Sequence, residues 1–407
     1  MKNRHLVLLL LIALALITFL DRIAISSAGL RIREDLHLSP EQWGWVLGAF
    51  ILSYGIFEAP TGAIGDRAGH RRVLTRIVLW WSAFTSLTGA ARGFWQLLAT
   101  RFLFGIGEAG AYPNMSGVLA RWFPVSEHAR TQGFIWAASR FGGALAPLIV
   151  TPLQARIGWR WAFAILGAIG VSWALVWHAY YRDENPEYAR TSAMAADVGT
   201  PWAMLLGAPQ LWLIIVMYFC YAWGSWFYFA WFPVYLVNGA GFTEAQMGVF
   251  AALPFLAGAL GNIIGGALGD RLVSRFGLRN GRRIAGTASL AASSVLMAAM
   301  TLTRDHAAIV VLSTLGFGIA DLMLPTAWAV CLDVGRAHAG AVTGVMNTAG
   351  QLGGFLCSVL FGYVVIATSS YRAPVWIIAA MVMVAALLFT RIDASRELIP
   401  QPGPVES

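Results

Sequence analysis

The stretch Gly62-Ala63-Ile64-Gly65-Asp66-Arg67 returns almost letter for letter as Gly266-Ala267-Leu268-Gly269-Asp270-Arg271, 204 residues later. Two more sets of glycines repeat. Gly105 and Gly107 return as Gly316 and Gly318, and Gly133 with Gly142-Gly143 returns as Gly344 with Gly353-Gly354, both at an offset of 211. The seven extra residues fall after Asp270, which stands 13 positions before Arg283 where Asp66 stands 6 before Arg72. The chain is therefore a duplication whose two copies run in the same direction. In a membrane protein that is the arrangement of a carrier whose halves rock about a central site.

The composition places the repeat in a bilayer. The chain has 407 residues, 58% hydrophobic and 12% charged, with mean hydropathy +0.65. A soluble domain carries about 25% charged residues. Apolar windows of about 20 residues, the length that crosses a bilayer, fall at 6–28, 43–64, 73–91, 95–120, 131–153 and 160–181. A second series falls at 211–236, 245–268, 284–303, 307–332, 341–367 and 371–390. Residues 1–28 have the outline of a secretory signal, with Lys2 and Arg4 before an apolar run. The run continues through Asp21-Arg22 and eleven further spans follow, so a first transmembrane helix is the reading adopted. The expected fold is an all-α membrane protein with twelve transmembrane helices in two six-helix halves. The N-terminal bundle covers 1–181, a cytoplasmic linker 182–210, the C-terminal bundle 211–390 and a cytoplasmic tail 391–407.

The net charge of +8 would point to nucleic acid in a soluble chain. Here it follows from loop charges. With both termini in the cytoplasm, eighteen basic residues lie inside and seven outside, which fixes the orientation by the positive-inside rule. All but one of the 28 basic residues are arginine, a bias that reads as genome composition. Cys220, Cys331 and Cys357 all lie in apolar spans and are odd in number, so neither a disulfide framework nor a metal site is expected.

Six charges remain inside the spans of the first half: Asp21, Arg22, Glu58, Arg101, Glu108 and Arg140. A charge in hydrocarbon costs at least about 2.5–3.5 kcal/mol, so such residues face inward and serve a site or a pair. Three positive and three negative charges can cancel, which suits a site that handles an anion together with protons. Arg101 and Glu108 stand two turns apart on one helix face, about 10 Å, too far to pair, so each needs another partner or a ligand. Asp21 and Arg22 point about 100° apart, so one can face a cavity while the other faces the fourth span. A carboxyl in an apolar setting takes up a proton more readily than one in water, the property a coupling residue needs.

The loop Gly62–Arg72 and its second copy resemble the signature of the major facilitator superfamily. A finer resemblance, to its anion:cation symporter family, is carried by several motifs. These are Asp21-Arg22, Tyr54, the run from Arg101 through Gly105, Gly107 and Glu108 to Pro113, Trp122-Phe123-Pro124, Arg182-Asp183 with Pro186, Trp231 with Pro233, Tyr235 and Leu236, Trp328 with Asp333, and Thr343-Gly344 with Asn347 and Gly350. Bacterial proton-coupled galactonate and hexuronate carriers, sialin and the vesicular glutamate transporters belong to that family. The resemblance implies that Arg22 and Arg101 bind a substrate carboxylate, that Asp21 and Glu108 carry protons, and that Tyr54 and Asn347 touch substrate. The sequence departs from the family at Glu58, where an uncharged residue is usual, and at Arg140, near a substrate-binding glutamine.

Those departures leave two readings each. Glu58 serves either the proton path or the cytoplasmic latch, eight residues before Asp66. Arg140 is either a third anion contact or the counter-ion of Glu58. Arg140 aligns with Gln351 across the duplication, so Gln351 joins Arg22, Arg101, Tyr54, Arg140 and Asn347 as an expected substrate contact. Tyr112, one turn from Glu108, either bonds it or packs. Gly62, Asp66, Arg67, Asp270 and Arg271 are expected to form gating loops, where an aspartate pairs with an arginine or caps a helix. Asp321, the single mid-span charge of the second half, is left outside the site. Most of the aromatics crowding the seventh span, Tyr218 to Trp231, read as filler, with a few left to stack on a sugar ring or close the outer gate.

The expected function is proton-coupled symport of a small organic anion, a sugar acid or another carboxylate, by a monomer in the cell's inner membrane. No cofactor or nucleic acid is expected. A multidrug antiporter of the same fold would favour an acidic cavity and an antiporter signature in the fifth span, which instead carries Arg140. A non-transporting sensor is the second alternative. No nucleophile motif, metal cluster or soluble catalytic domain points to an enzyme.

Overall fold

A computed structural model describes residues 2–123, 125–183, 202–335 and 339–399, with the side chains at 2–3, 59–60, 62–67, 120–121, 125–130, 132, 332 and 339–341 outside the description. Nearly all of it is helix. The first half runs through α1 (Lys2–Ser27), the short α2 (Gly29–Asp35), α3 (Pro40–Ala68), α4 (His70–Ala90), α5 (Phe94–Glu108), α6 (Ala111–Trp122) and α7 (Val125–Tyr180). The second half runs through the short α8 (Trp202–Gly207), α9 (Pro209–Ala230), α10 (Phe232–Val234), a π-helical turn at Tyr235–Gly239, α11 (Glu244–Phe250), α12 (Leu253–Leu302), α13 (His306–Gly335), α14 (Ala339–Thr368) and α15 (Ala373–Phe389).

All twelve expected spans are helical among the described residues. Two pairs of spans share one long element. α7 reverses at Gly158 (φ 80°) and α12 at Gly277 (φ 76°). Gly69 (φ 86°) separates α3 from α4, so a left-handed glycine follows each copy of the repeated Gly-Asp-Arg motif. The fourth span is broken. α5 ends at Glu108, and Gly110, at φ 84°, starts α6 in a new direction. Among the described residues, six helical stretches are long and apolar enough to cross a membrane, and the two longest, Gly133–Tyr180 and Glu244–Leu302, each hold two spans.

The chain forms two compact units. The first contains Met1–Ala196, Trp226–Leu256 and Gly354–Pro374; the second contains Asp197–Ser225, Ala257–Gly353 and Val375–Ser407. In the first, α1 and α4 pack on α7 and α3 packs on α5. Leu11, Leu14, Val78, Trp81 and Phe104 are buried there. Trp173, Trp177 and Tyr181 stack in series, with ring centroids 5.3 and 4.1 Å apart.

Both halves of the duplication meet within this first unit. The Nε and Nη2 of Arg31 grip the two oxygens of Glu244 at 2.7 and 3.0 Å, and its Nη1 donates to the Gln154 carbonyl at 3.1 Å. The side-chain amide of Gln154 also donates to Glu244, at 2.8 Å. Arg33 donates to the Tyr371 hydroxyl at 3.1 Å, and Trp45 to that of Tyr363 at 3.1 Å. Glu244 opens α11 behind Thr243, which forms a capping box with Gln246, so the acceptor sits where a helix N-terminus favours negative charge.

In the second unit Asp321 is fully buried and accepts from Tyr221 at 3.1 Å and from the Asn262 amide at 3.0 Å. It pins α9, α12 and α13 together, consistent with a packing role. Arg283 binds the carbonyl of Ile392 at 2.6 Å just past α15, as Arg71 binds that of His178 at 2.8 Å near the end of α7.

Candidate functional site

The intramembrane charges of α1 and α5 meet in the first unit. The Nε of Arg22 donates to Oε1 of Glu108, and Glu108 is completely buried. The two-turn separation left each end of the Arg101–Glu108 pair in need of another partner, and Glu108 finds it on α1. Its position explains why it can be reached: it is the last residue of α5, where the helix stops and the chain turns at Gly110. A helix C-terminus carries partial negative charge, which adds to the attraction for a guanidinium.

Aromatic rings surround Arg22. Its guanidinium carbon lies 4.4 Å from the Tyr54 ring centroid, 5.2 Å from Phe19 and 5.5 Å from both Phe50 and Tyr112. Ring faces attract cations, and more strongly out of water. Tyr54 thus meets the expected substrate contact through its ring, while its hydroxyl lies 3.4 Å from Glu58. Tyr112 packs: it stacks on Trp136 at 5.0 Å, and its hydroxyl bonds Ser139 at 2.6 Å rather than Glu108.

Arg101 is 2% exposed and makes no ion pair or hydrogen bond among the described residues, its Nε buried without a partner. It lies over Phe104 at 4.4 Å and Phe50 at 5.0 Å. Asp21 is also 2% exposed, and among the described residues neither oxygen has a hydrogen bond of standard geometry. Arg101 and Glu108 are its charged neighbours, and the Thr85 hydroxyl and Trp81 indole of α4 lie beside it. Of the adjacent pair Asp21 and Arg22, then, Arg22 takes the cavity and Asp21 turns toward α4.

Arg22 and Arg101 line a cavity of about 40 Å³, walled by Phe19, Phe50, Trp226 and Phe229 and by aliphatic side chains. Trp226 and Phe229 belong to the aromatic run read as filler; the sequence carried no signal to separate these two from their neighbours. Arg140 is buried on α7, with its guanidinium 5.3 Å from the Phe229 ring. Glu58 is half-buried on α3.

Asn347 and Gln351 lie one turn apart on α14 in the second unit, and the Gln351 Oε1 is buried without a hydrogen bond among the described residues. Of the gating residues, Gly62, Asp66 and Arg67 sit in the last turns of α3, and their side chains fall outside the described residues. Asp270 pairs with Arg282 at 3.6 Å, and Arg282 also binds Asp333 at 3.1 Å; Arg271 is exposed. Arg31 and Glu244 were not singled out in the sequence, since neither falls within an apolar span. Among the described residues no cluster of three or more potential metal ligands occurs.

A family model of the Major Facilitator Superfamily matches residues 10–358. A probable sulfoacetate transporter of Cupriavidus necator is 35% identical over 401 residues, which cover 95% of this chain and 93% of that protein. A probable L-galactonate transporter of Escherichia coli is 30% identical, covering 94% and 87%. The hexuronate transporter of Bacillus subtilis is 28% identical, covering 100% and 98%. Among solved structures, a bacterial homologue of the human lysosomal transporter Spinster, inward-facing and unoccupied, matches with a TM-score of 0.82 over 97% of both chains at 18% identity, a likeness of fold.

Proposed function

The chain belongs to the Major Facilitator Superfamily of membrane transporters, and on that premise we propose that it carries a small organic anion by proton-coupled symport. The observation that carries this reading is the Arg22–Glu108 pair beside an Arg101 guanidinium that lines the same cavity and makes no ion pair or hydrogen bond among the described residues. The relatives' names refer to sulfoacetate, galactonate and hexuronate, all of which carry a carboxylate.

The mechanism follows from charge balance. A planar guanidinium makes two parallel hydrogen bonds to an acidic group, so Arg101 is the first anchor of the anion. Arg22 becomes the second when a proton on Glu108 releases it. Leaving an extra negative charge unpaired in an apolar cavity costs more than binding that proton. Asp21, beside Arg101 and Glu108, is the second proton site. Loss of the proton on the other side restores the Arg22–Glu108 pair and expels the anion. The two halves, 1–181 and 211–390, alternate access around this site, with Asp66–Arg67 and Asp270–Arg271 in the helical turns that gate it. In this reading the protein works as a monomer in the bacterial inner membrane with both termini in the cytoplasm. Tyr54, Arg140, Asn347 and Gln351, which are outside this cavity's lining, are assigned to the substrate along its path through the carrier, and Glu58 to the proton path.

The test is uptake into proteoliposomes of labelled galactonate, glucuronate, sulfoacetate, malonate, lactate and glutamate, with and without an inward proton gradient. Accumulation of an anion only with the gradient is expected. Uptake of none, with a cationic dye expelled instead, would overturn the proposal in favour of drug antiport. Binding of an anion without counterflow would make the protein a sensor.

A further inference from the structure

We infer that the anion taken by this cavity is short and free of hydroxyls and carries an acidic group at each end, an inference that rests on the transport function proposed above. Arg22 and Arg101 are the charged side chains among its described lining residues. Each keeps a buried N–H without an acceptor among the described residues: Nη2 of Arg22 and Nε of Arg101. Both guanidinium carbons lie against one ring, Phe50, at 5.5 and 5.0 Å from its centroid. The two charges can be no farther apart than the sum of those distances, the span of a chain of a few atoms with an acid at either end.

The rest of the lining argues against a sugar acid. Among the described lining residues none has an amide, hydroxyl or carboxylate side chain, and beyond the two arginines the polar handle is the indole of Trp226. Each hydroxyl of a polyol set against Phe19, Phe229 or an aliphatic wall would give up its water and find no acceptor among the described lining residues, which is unfavourable for every group so buried. One to three methylenes between two acids lose nothing against such walls. A site built this way discriminates by charge at both ends and by the absence of polar groups between them.

Competition in proteoliposomes under an inward proton gradient tests this. Malonate, succinate and sulfoacetate should accumulate, and each should block labelled malonate uptake at least about tenfold more effectively than acetate or gluconate, the scale on which one lost charged contact separates ligands. Arg101→Gln should bring malonate and acetate to near equality. The wild-type competition decides the matter even where that variant does not fold. Gradient-driven accumulation of gluconate or galactonate, with malonate failing to compete, would overturn the inference and leave the transport function standing. A dianion preference that survives Arg101→Gln would also overturn it. Uptake of no anion at all would overturn both.

Discussion

Arg22 of α1 holds Glu108 at the last residue of α5, immediately before the chain breaks direction at Gly110. The charge pair and the break are thus one structural unit. A proton that dissolves the pair acts at the joint between α5 and α6.

Glu108→Gln should keep exchange and lose coupling. The amide copies the protonated carboxyl, so Arg22 stays available to the anion and no proton can be released. Counterflow of labelled anion should persist within about threefold of wild type, while gradient-driven accumulation falls at least about tenfold. Accumulation at the wild-type level would remove Glu108 from the coupling step. Glu108→Ala should behave differently again, because it leaves Arg22 buried and unpaired, a loss of about 3–5 kcal/mol that would show as a lower melting temperature.

Gly110→Ala should damage the break itself. At φ 84° an L side chain is strained, and a Cβ there would lie 2.7 Å from Thr61. Strain of this kind costs about 1–3 kcal/mol. Asn114, whose amide donates to the Gly110 carbonyl at 2.8 Å and whose Oδ1 meets His70 at 2.9 Å, ties the break to the start of α4. Thermal unfolding in detergent and transport rate should both fall for Gly110→Ala. Unchanged values for both would show that the left-handed turn is not needed.

Arg31 and Glu244 should act as a latch between the halves. Their side chains are 34% and 30% exposed, so the pair contributes at most about 1 kcal/mol, equivalent to roughly fivefold in a conformational equilibrium. Arg31→Ala or Glu244→Ala should raise the reactivity of a cysteine placed at Leu47 toward a membrane-impermeant thiol reagent added outside. The double swap Arg31→Glu with Glu244→Arg should restore protection. If the singles leave labelling unchanged, the ion pair is not part of the closure.

Asp393, beyond α15, should make stability fall in acid. Burial alone would raise its pKa. The hydroxyl and N–H of Ser395 and the guanidinium of Arg279, 3.3 Å away, outweigh that and hold the carboxyl below its ordinary range. A pKa lowered by folding contributes stability that is complete above the unfolded value and is lost as pH falls through the folded one. Melting temperature should therefore drop as pH falls below about 4, the ordinary aspartate range. Asp393→Asn should start lower at pH 7 and show a shallower acid limb; identical limbs would deny Asp393 that role.

The sequence showed the fold through two features with strong physical causes. Twelve apolar windows follow from bilayer thickness, and the repeated Gly-Asp-Arg loop exposes the duplication. It also showed which charges to watch, because a charge such as Glu108 in an apolar run has so few structural excuses. It did not show the partner of Glu108, since pairing across 86 residues depends on how α1 crosses α5. The break at Gly110 was hidden in a span whose apolar character is continuous. Trp226 and Phe229 were indistinguishable from the other rings of α9 until their directions were known. Arg31 and Glu244 are ordinary loop charges in sequence, and only their bidentate geometry sets them apart.

The first compact unit contains residues from Met1 to Ala196 but also Gly354–Pro374. Biosynthesis must therefore wait. When the first six spans leave the ribosome, the surfaces that will receive Tyr363 and Tyr371 have no occupant, and they stay unoccupied until most of the polypeptide has been translated. Insertion can proceed span by span, but maturation of this unit is a late, post-insertional event. Two separately encoded halves should then complement each other in one cell, and the N-terminal half made alone should be short-lived.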